Sequence, residues 1–154
     1  MIDATDYFSI QNLIHAYAYC LDGGRFDDLG ELFAHADVYF EGNAAPVRCD
    51  PRAVTKMFTD FLQLYDGRPR TRHVISNVVI EFDSATEARA TSYVVVFQQT
   101  DKLSLQPIIT GDYTDRFVKR DGKWRFSERY VRNDLFGDLS AHGKYAFGPE
   151  QGHP

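Results

Sequence analysis

The fold is decided by the stretch ITGDYTDRFVKRDGKWRF, residues 109–126. Runs of β-branched and aromatic residues flank Asp121-Gly122, which is a strong two-residue signal for a β-hairpin turn. Working outward from this hairpin, the sequence predicts long strands over residues 71–82, 87–99, 105–120 and 123–133. The carboxyl-terminal half is therefore predicted to form an antiparallel sheet.

The amino-terminal part has helical rather than strand periodicity. Apolar residues from Ile10 to Leu21 follow helical spacing, and Gly23-Gly24 ends that helix. A short helix over 26–33 and a short strand over 38–40 follow. Asp50-Pro51 is a typical helix start, and that third helix is predicted to reach Tyr65 before 66–69 break it.

Helices first and antiparallel strands later predict a single α+β domain over residues 1–154, with the helices packed on one face of a bent sheet. Residues 134–154 have no clear period. The aromatic residues of this tail, Phe136, Tyr145 and Phe147, are candidates to cover a cavity or to form a subunit contact.

Composition argues against several classes of function. The formal net charge is −5 and no block of Lys or Arg stands out, which argues against nucleic-acid and anionic-membrane partners. Cys20 and Cys49 lack metal-type spacing, so we expect no disulfide framework and a reducing compartment. No run reaches membrane-spanning length and no signal-peptide pattern is visible, so a cytoplasmic location is expected. No pair of histidines has metal-ligand spacing, and we predict no metal and no cofactor.

Two polar residues lie in apolar settings. Asp22 closes the first predicted helix and His73 opens the first long strand. A carboxylate that holds an imidazole in one tautomer turns it into an oriented base. The alternative interpretation is a solvated acid in a chain reversal and a structural histidine on a strand face. Spacing alone does not separate the two.

The order of elements and the hairpin sequence together resemble the SnoaL-like branch of the nuclear-transport-factor-2-like superfamily. The resemblance covers residues 6–133 and implies a cone-shaped α+β barrel, in which a strongly curved, mostly antiparallel sheet wraps around the helices and leaves a deep apolar cavity. It implies little about chemistry, because the superfamily includes enzymes, cyclases and noncatalytic subunits.

Lyases of this branch (scytalone dehydratase, bile-acid 7α-dehydratase and hexachlorocyclohexane dehydrochlorinase) carry an Asp and a His at the positions of Asp22 and His73. Some of them also use an Arg late in the last strand, which Arg129 matches. The alternative for Arg129 is a surface pair with a neighbouring acid. Leu21 stands where scytalone dehydratase has a tyrosine, and Gln98 stands near the position of its second histidine. The substrate of scytalone dehydratase is therefore not expected for this chain.

Aromatic residues are the candidates for substrate binding. Tyr113 is favoured because it shares a strand face with apolar residues and its hydroxyl needs a partner. Tyr17, Phe58 and Phe61 could line the same pocket or belong to the core.

We therefore predict a cofactor-free lyase for a small cyclic, largely apolar substrate. In this hypothesis His73 removes a proton from the substrate and Asp22 orients the His73 imidazole. Arg129 or Tyr113 assists the departing group. One alternative is a polyketide or terpenoid cyclase or isomerase with the same acid–base pair. Another is a noncatalytic ligand-binding protein or oxygenase small-subunit-like module. The family further implies a homodimer or homotrimer.

Overall fold

The computed structural model describes residues 1–146. The helices are α1 (Ala4–Asp22), α2 (Phe26–Leu32) and α3 (Pro51–Phe61). The strands are β1 (Asp37–Phe40), β2 (Val47–Arg48), β3 (Thr71–Phe82), β4 (Glu87–Gln98), β5 (Gln106–Arg120) and β6 (Lys123–Phe136). Phe147, one of the aromatic residues of the tail, lies outside the described residues.

Within residues 1–146 the strands form one six-stranded sheet in the order β2-β1-β6-β5-β4-β3. β1 runs parallel to β6, and every other neighbouring pair is antiparallel. The predicted α+β class is confirmed. None of the helices in this part of the chain combines the length and the apolar character that a bilayer span requires.

The helix starts follow their capping residues. The Asp3 side chain accepts from the backbone of Thr5 and Asp6, and Asp6 accepts from the backbone of Asp3 in return, which forms a capping box. Asp50 caps α3 by accepting from Ala53, with Pro51 at the first helical position as the sequence predicts.

Three differences from the sequence prediction are larger than one residue. α3 ends at Phe61 instead of Tyr65, because Leu62 turns into extended backbone and pairs with Gly143 of the tail. β6 continues three residues further, to Phe136, which pairs with Ile109 of β5. β2 is only two residues long and gives no strand signal of its own in the sequence.

Register shifts interrupt the long strands. They lie between Ser76 and Val79 in β3, between Val96 and Phe97 in the pairing of β4 with β5, and at two points along the pairing of β5 with β6. Asn77, inside the β3 shift, has a positive φ of 53°. Irregularities of this kind bend a strand and increase its twist, which favours a curved sheet.

The core lies between the helices and the inner face of the sheet. Ile10 and Ile14 of α1 are fully buried, as is Phe33 just after α2. The Phe33 ring lies 5.0 Å from Phe126, which in turn lies 4.8 Å from Phe117. These aromatic contacts fix the helices against β5 and β6.

Candidate active site

The carboxyl end of α1 lies directly against the loop that leads into β3. Gly24 has a φ of +71°, and a Cβ atom there would lie 2.1 Å from the carbonyl oxygen of Gly67. Only glycine accepts both this conformation and this close approach. The contact holds the end of α1 beside the first residues of β3, and so brings Asp22 to Thr71 and His73.

Asp22 and His73 are within hydrogen-bond distance although 51 positions separate them. The Asp22 Oδ1 atom lies 2.6 Å from His73 Nδ1. The backbone N–H of His73 donates to Asp22 Oδ2 over 2.8 Å, and the Thr71 hydroxyl donates to Oδ1 over 2.7 Å. Both oxygens are engaged, so the carboxylate orients the imidazole and the strand together.

These contacts keep Asp22 ionised. Burial alone would raise the pKa of this carboxyl group, since its side chain is only 14% exposed. The hydrogen bonds and charge of His73, with the hydrogen bond of Thr71, outweigh burial and hold the pKa below its usual value. An ionised Asp22 accepts the Nδ1–H of His73, which leaves the basic lone pair on Nε2.

The His73 ring lines a cavity of about 530 Å³. Its apolar and aromatic lining includes Tyr17, Phe58, Phe61, Val96, Tyr113 and Phe136. Polar groups are fewer, and include Thr71, Asn133 and His142 beside His73. This composition is typical of a pocket for a small, largely apolar molecule with a few groups that orient it.

Arg129 forms a buried ion pair behind this wall. Its Nε and Nη2 atoms donate to the two oxygens of Asp115, each over 2.7 Å, and both side chains are at most 1% exposed. The guanidinium lies 4.4 Å from the Tyr17 ring and 4.3 Å from the Tyr113 ring. Arg129 is not among the described residues that line the cavity. Arg129 therefore contacts the rings of Tyr17 and Tyr113 without lining the cavity itself.

Tyr17 and Tyr113 are neutral hydroxyls. Burial raises the pKa of Tyr17 to about 12, partly offset by the charge of Arg129. Burial also raises the pKa of Tyr113 well above its usual value. Their rings meet edge to face at 5.5 Å, and Tyr17 meets the His73 ring at 6.0 Å in the same way. The Tyr17 ring thus contacts both the His73 ring and the Tyr113 ring.

A family model described as the SnoaL-like domain matches residues 3–130. The chain belongs to the SnoaL-like domain family. This places it in the nuclear-transport-factor-2-like superfamily, as the hairpin sequence predicts. A search of curated proteins finds no match for this SnoaL-like domain.

Solved structures share the fold. A proposed scytalone dehydratase from Novosphingobium aromaticivorans DSM 12444 is 27% identical, with 87% of each chain covered and a TM-score of 0.69. LinA is 22% identical, with 94% of this chain and 95% of that chain covered and a TM-score of 0.70. Rv3472, a Mycobacterium tuberculosis protein of unknown function, is 24% identical over 84% of this chain and 72% of its own, with a TM-score of 0.70.

The SnoaL-like domain assembles most of the residues that the sequence singles out. His73 lines the cavity together with the four predicted substrate-binding residues, Tyr17, Phe58, Phe61 and Tyr113. Asp22 lies behind His73. A direct contact between Arg129 and a departing group remains a prediction, and its buried pairing with Asp115 favours an indirect role. The catalytic roles themselves also remain predictions.

Two residues of the site escape sequence reasoning. Thr71 gives no signal beyond its place two residues before His73 on the same strand face. His142 lies in the tail without periodicity, where the sequence offers no context for a histidine. The described residues contain no group of three or more His, Cys, Asp and Glu side chains placed to hold a metal ion.

Proposed function

We propose that this SnoaL-like domain is a cofactor-free lyase, a dehydratase or related eliminase, that acts on a cyclic, largely apolar small molecule. The observation that carries the proposal is the His73 imidazole, which lines a cavity of about 530 Å³ while Asp22 holds its Nδ1 atom at 2.6 Å. Ligand pockets commonly measure about 300–1,000 Å³, and the volume of this cavity lies within that range. A cavity of this size suits a molecule of one or two rings. The name of the 27% identical relative, a proposed scytalone dehydratase, supports the same class of reaction.

The elimination needs one base and one departing group on neighbouring carbons. His73 Nε2 takes a proton from carbon, the C–H electron pair becomes the new C=C bond, and the bond to the departing group breaks. Where hydroxide departs, the proton on His73 returns to it and water leaves. Where halide departs, that proton passes to solvent. Asp22 stabilises the imidazolium while it exists.

Tyr113 is the group best suited to assist departure. Its hydroxyl remains protonated and interacts with that of Tyr17, and the residue lines the cavity. We therefore assign the Tyr113 hydroxyl the hydrogen bond to the leaving oxygen or halide. Arg129 lies behind the ring and both of its donor bonds go to Asp115. We therefore assign Arg129 the positioning of Tyr113.

Product analysis tests the proposal. The protein is incubated with a panel of cyclic β-hydroxy ketones and cyclic alkyl chlorides, and products are identified by mass spectrometry. Protein-dependent loss of water or of hydrogen chloride is expected. A product of unchanged mass would favour the isomerase or cyclase alternative, and absence of any conversion would favour the noncatalytic one.

Asp22→Ala is the informative variant in this assay, with Asp101→Ala as its matched control. Asp101 is exposed and lies in the loop between β4 and β5. We expect elimination to fall by about 100-fold in Asp22→Ala, at the lower end of what a positioned base contributes, and to persist in Asp101→Ala. Equal rates in the two folded variants would contradict the role of Asp22.

A further inference from the structure

His142 brings a second imidazole to the cavity. The residue lines the pocket together with His73 and is only 7% exposed. Its Nδ1 atom is buried and has no hydrogen-bond partner among residues 1–146. Buried polar atoms in native proteins are nearly always paired, so an unpaired ring nitrogen in a largely apolar pocket needs an explanation.

The backbone around His142 is firmly held. The carbonyl of His142 accepts from the backbone N–H of Gln63 over 2.9 Å, and the side chain of Gln63 donates to the carbonyl of Gly143 over 2.7 Å. The Ala141 carbonyl accepts from Gln98 Nε2 and from the Tyr65 hydroxyl, each over 2.9 Å. The backbone position of His142 is therefore set by the fold.

The ring itself is also packed. It meets the Phe61 ring edge to face, with centroids 5.7 Å apart. Phe61 is one of the aromatic residues that line the cavity. The contact and the burial of the residue place the imidazole between Phe61 and the cavity.

The two histidines have different surroundings. His73 has the carboxylate of Asp22, whereas no described acidic side chain forms an ion pair with His142. Burial, together with the charge of His73, lowers the pKa of His142 to about 4. His142 is therefore neutral at physiological pH, and it stays neutral when His73 accepts a proton.

We propose that His142 forms a polar subsite of the cavity, where its neutral imidazole hydrogen-bonds an oxygen substituent of the bound ring, a carbonyl or a hydroxyl group. The inference rests on the proposed function and adds how the substrate is oriented: the ring oxygen lies at His142, and the reacting C–H lies at His73. A neutral imidazole offers one donor and one acceptor, so it suits an uncharged oxygen better than a carboxylate. The substrate class is thereby narrowed to cyclic ketones and alcohols.

Ligand pairs that differ in one oxygen test this subsite. Dissociation constants of α-tetralone and of tetralin, its hydrocarbon counterpart, are measured by calorimetry for the wild type and for His142→Phe. Phenylalanine keeps an aromatic ring against Phe61 and removes both nitrogens. We expect α-tetralone to bind about 3- to 10-fold more weakly to His142→Phe, as for one lost hydrogen bond, and tetralin to bind equally well.

The controls separate this inference from the proposed function. His35→Phe removes an exposed histidine and should leave both constants unchanged. His142→Gln keeps a donor and an acceptor and should recover part of the α-tetralone affinity. Equal changes for the two ligands, no change for either, or no binding of either by the wild type would overturn the inference. Elimination by the wild type and by Asp22→Ala is measured in a separate assay. A negative binding result for His142 would therefore leave the proposed lyase function untouched.

Discussion

Asp22 carries a negative charge at an intrinsically unfavourable position. It is the last residue of α1, where the helix dipole disfavours an anion by about 0.3–1 kcal/mol. Hydrogen bonds to a charged group each contribute about 1.5–3 kcal/mol, and Asp22 accepts from Thr71 and from both the backbone and the ring of His73. These bonds more than offset the dipole. The position of Asp22 at the end of α1 is thus unfavourable for the helix alone but allows the carboxylate to orient His73.

His142 predicts a pH dependence of stability. Its folded pKa of about 4 lies below the usual 6.5, so the unfolded chain binds a proton first as pH falls. The associated stability is fully present above about pH 6.5 and is lost between there and about pH 4, by up to about 3 kcal/mol. Urea unfolding of wild type and His142→Phe at both ends of this window should show a steeper loss in the wild type. Parallel pH profiles would contradict the burial of a neutral His142.

At the scale of elements, the site exists because the end of α1 touches the loop before β3. Gly24→Ala adds a Cβ atom against the Gly67 carbonyl as well as backbone strain. Gly67→Ala is the matched control, since Gly67 also has a positive φ but has no atom near its Cβ position. We expect Gly24→Ala to lower the free energy of unfolding by at least about 1–3 kcal/mol more than the control, and to lower activity. Equal losses in the two variants, measured by urea unfolding, would show that the close contact does not hold the site.

The ion pair between β5 and β6 is the second element-scale feature. Asp115 and Arg129 are direct partners across the two strands. Asp115→Leu leaves a buried, unpaired guanidinium and should lower the free energy of unfolding by about 3–5 kcal/mol. The double variant with Arg129→Leu should recover most of that loss, because it removes both charges. A double variant as unstable as the single one would mean that packing, and not charge, sets the effect.

The long strands could be predicted because their information is local. β3 begins and ends where its pattern of alternating residues predicts, and the Asp121-Gly122 turn fixes the last hairpin. The end of α3 could not be predicted, because Leu62 pairs with Gly143 far along the chain. His142 was missed for the same reason: only the folded tail brings it to the cavity. The meeting of Asp22 with His73 could be proposed from the family resemblance, whereas the buried partner of Arg129 depended on strand register.

At the scale of the whole molecule, Asp6 joins the start of the chain to the last hairpin. Its Oδ1 atom accepts from Lys119 Nζ over 2.6 Å and from Trp124 Nε1 over 2.8 Å. These partners lie 113 and 118 positions away, so the contact joins the start of α1 to the turn between β5 and β6. The family's expected homodimer or homotrimer would be built from this unit and remains a prediction.

The lowered pKa of Asp6 predicts a second effect of pH on the free energy of unfolding, at more acidic pH. The hydrogen bonds of Lys119 and Trp124 lower its pKa from 3.8 to about 2. The stability that ionised Asp6 contributes is present above about pH 4 and is lost as pH falls through about 2. The difference in unfolding free energy between wild type and Asp6→Asn should therefore shrink across this range. A difference that stays constant from pH 5 to the acid limit would contradict this account.

The measurement that bears most directly on the central claim is the initial rate of product formation by His73→Ala, on a panel compound that the wild type converts. The base in this account is His73, so the rate should fall by about 10²–10⁴-fold. The variant should still unfold cooperatively, at a midpoint of thermal unfolding lowered only by loss of the His73–Asp22 hydrogen bond. His15→Ala, at a histidine of α1 that does not line the cavity, serves as the control. A folded His73→Ala variant that eliminates at the wild-type rate would contradict the account.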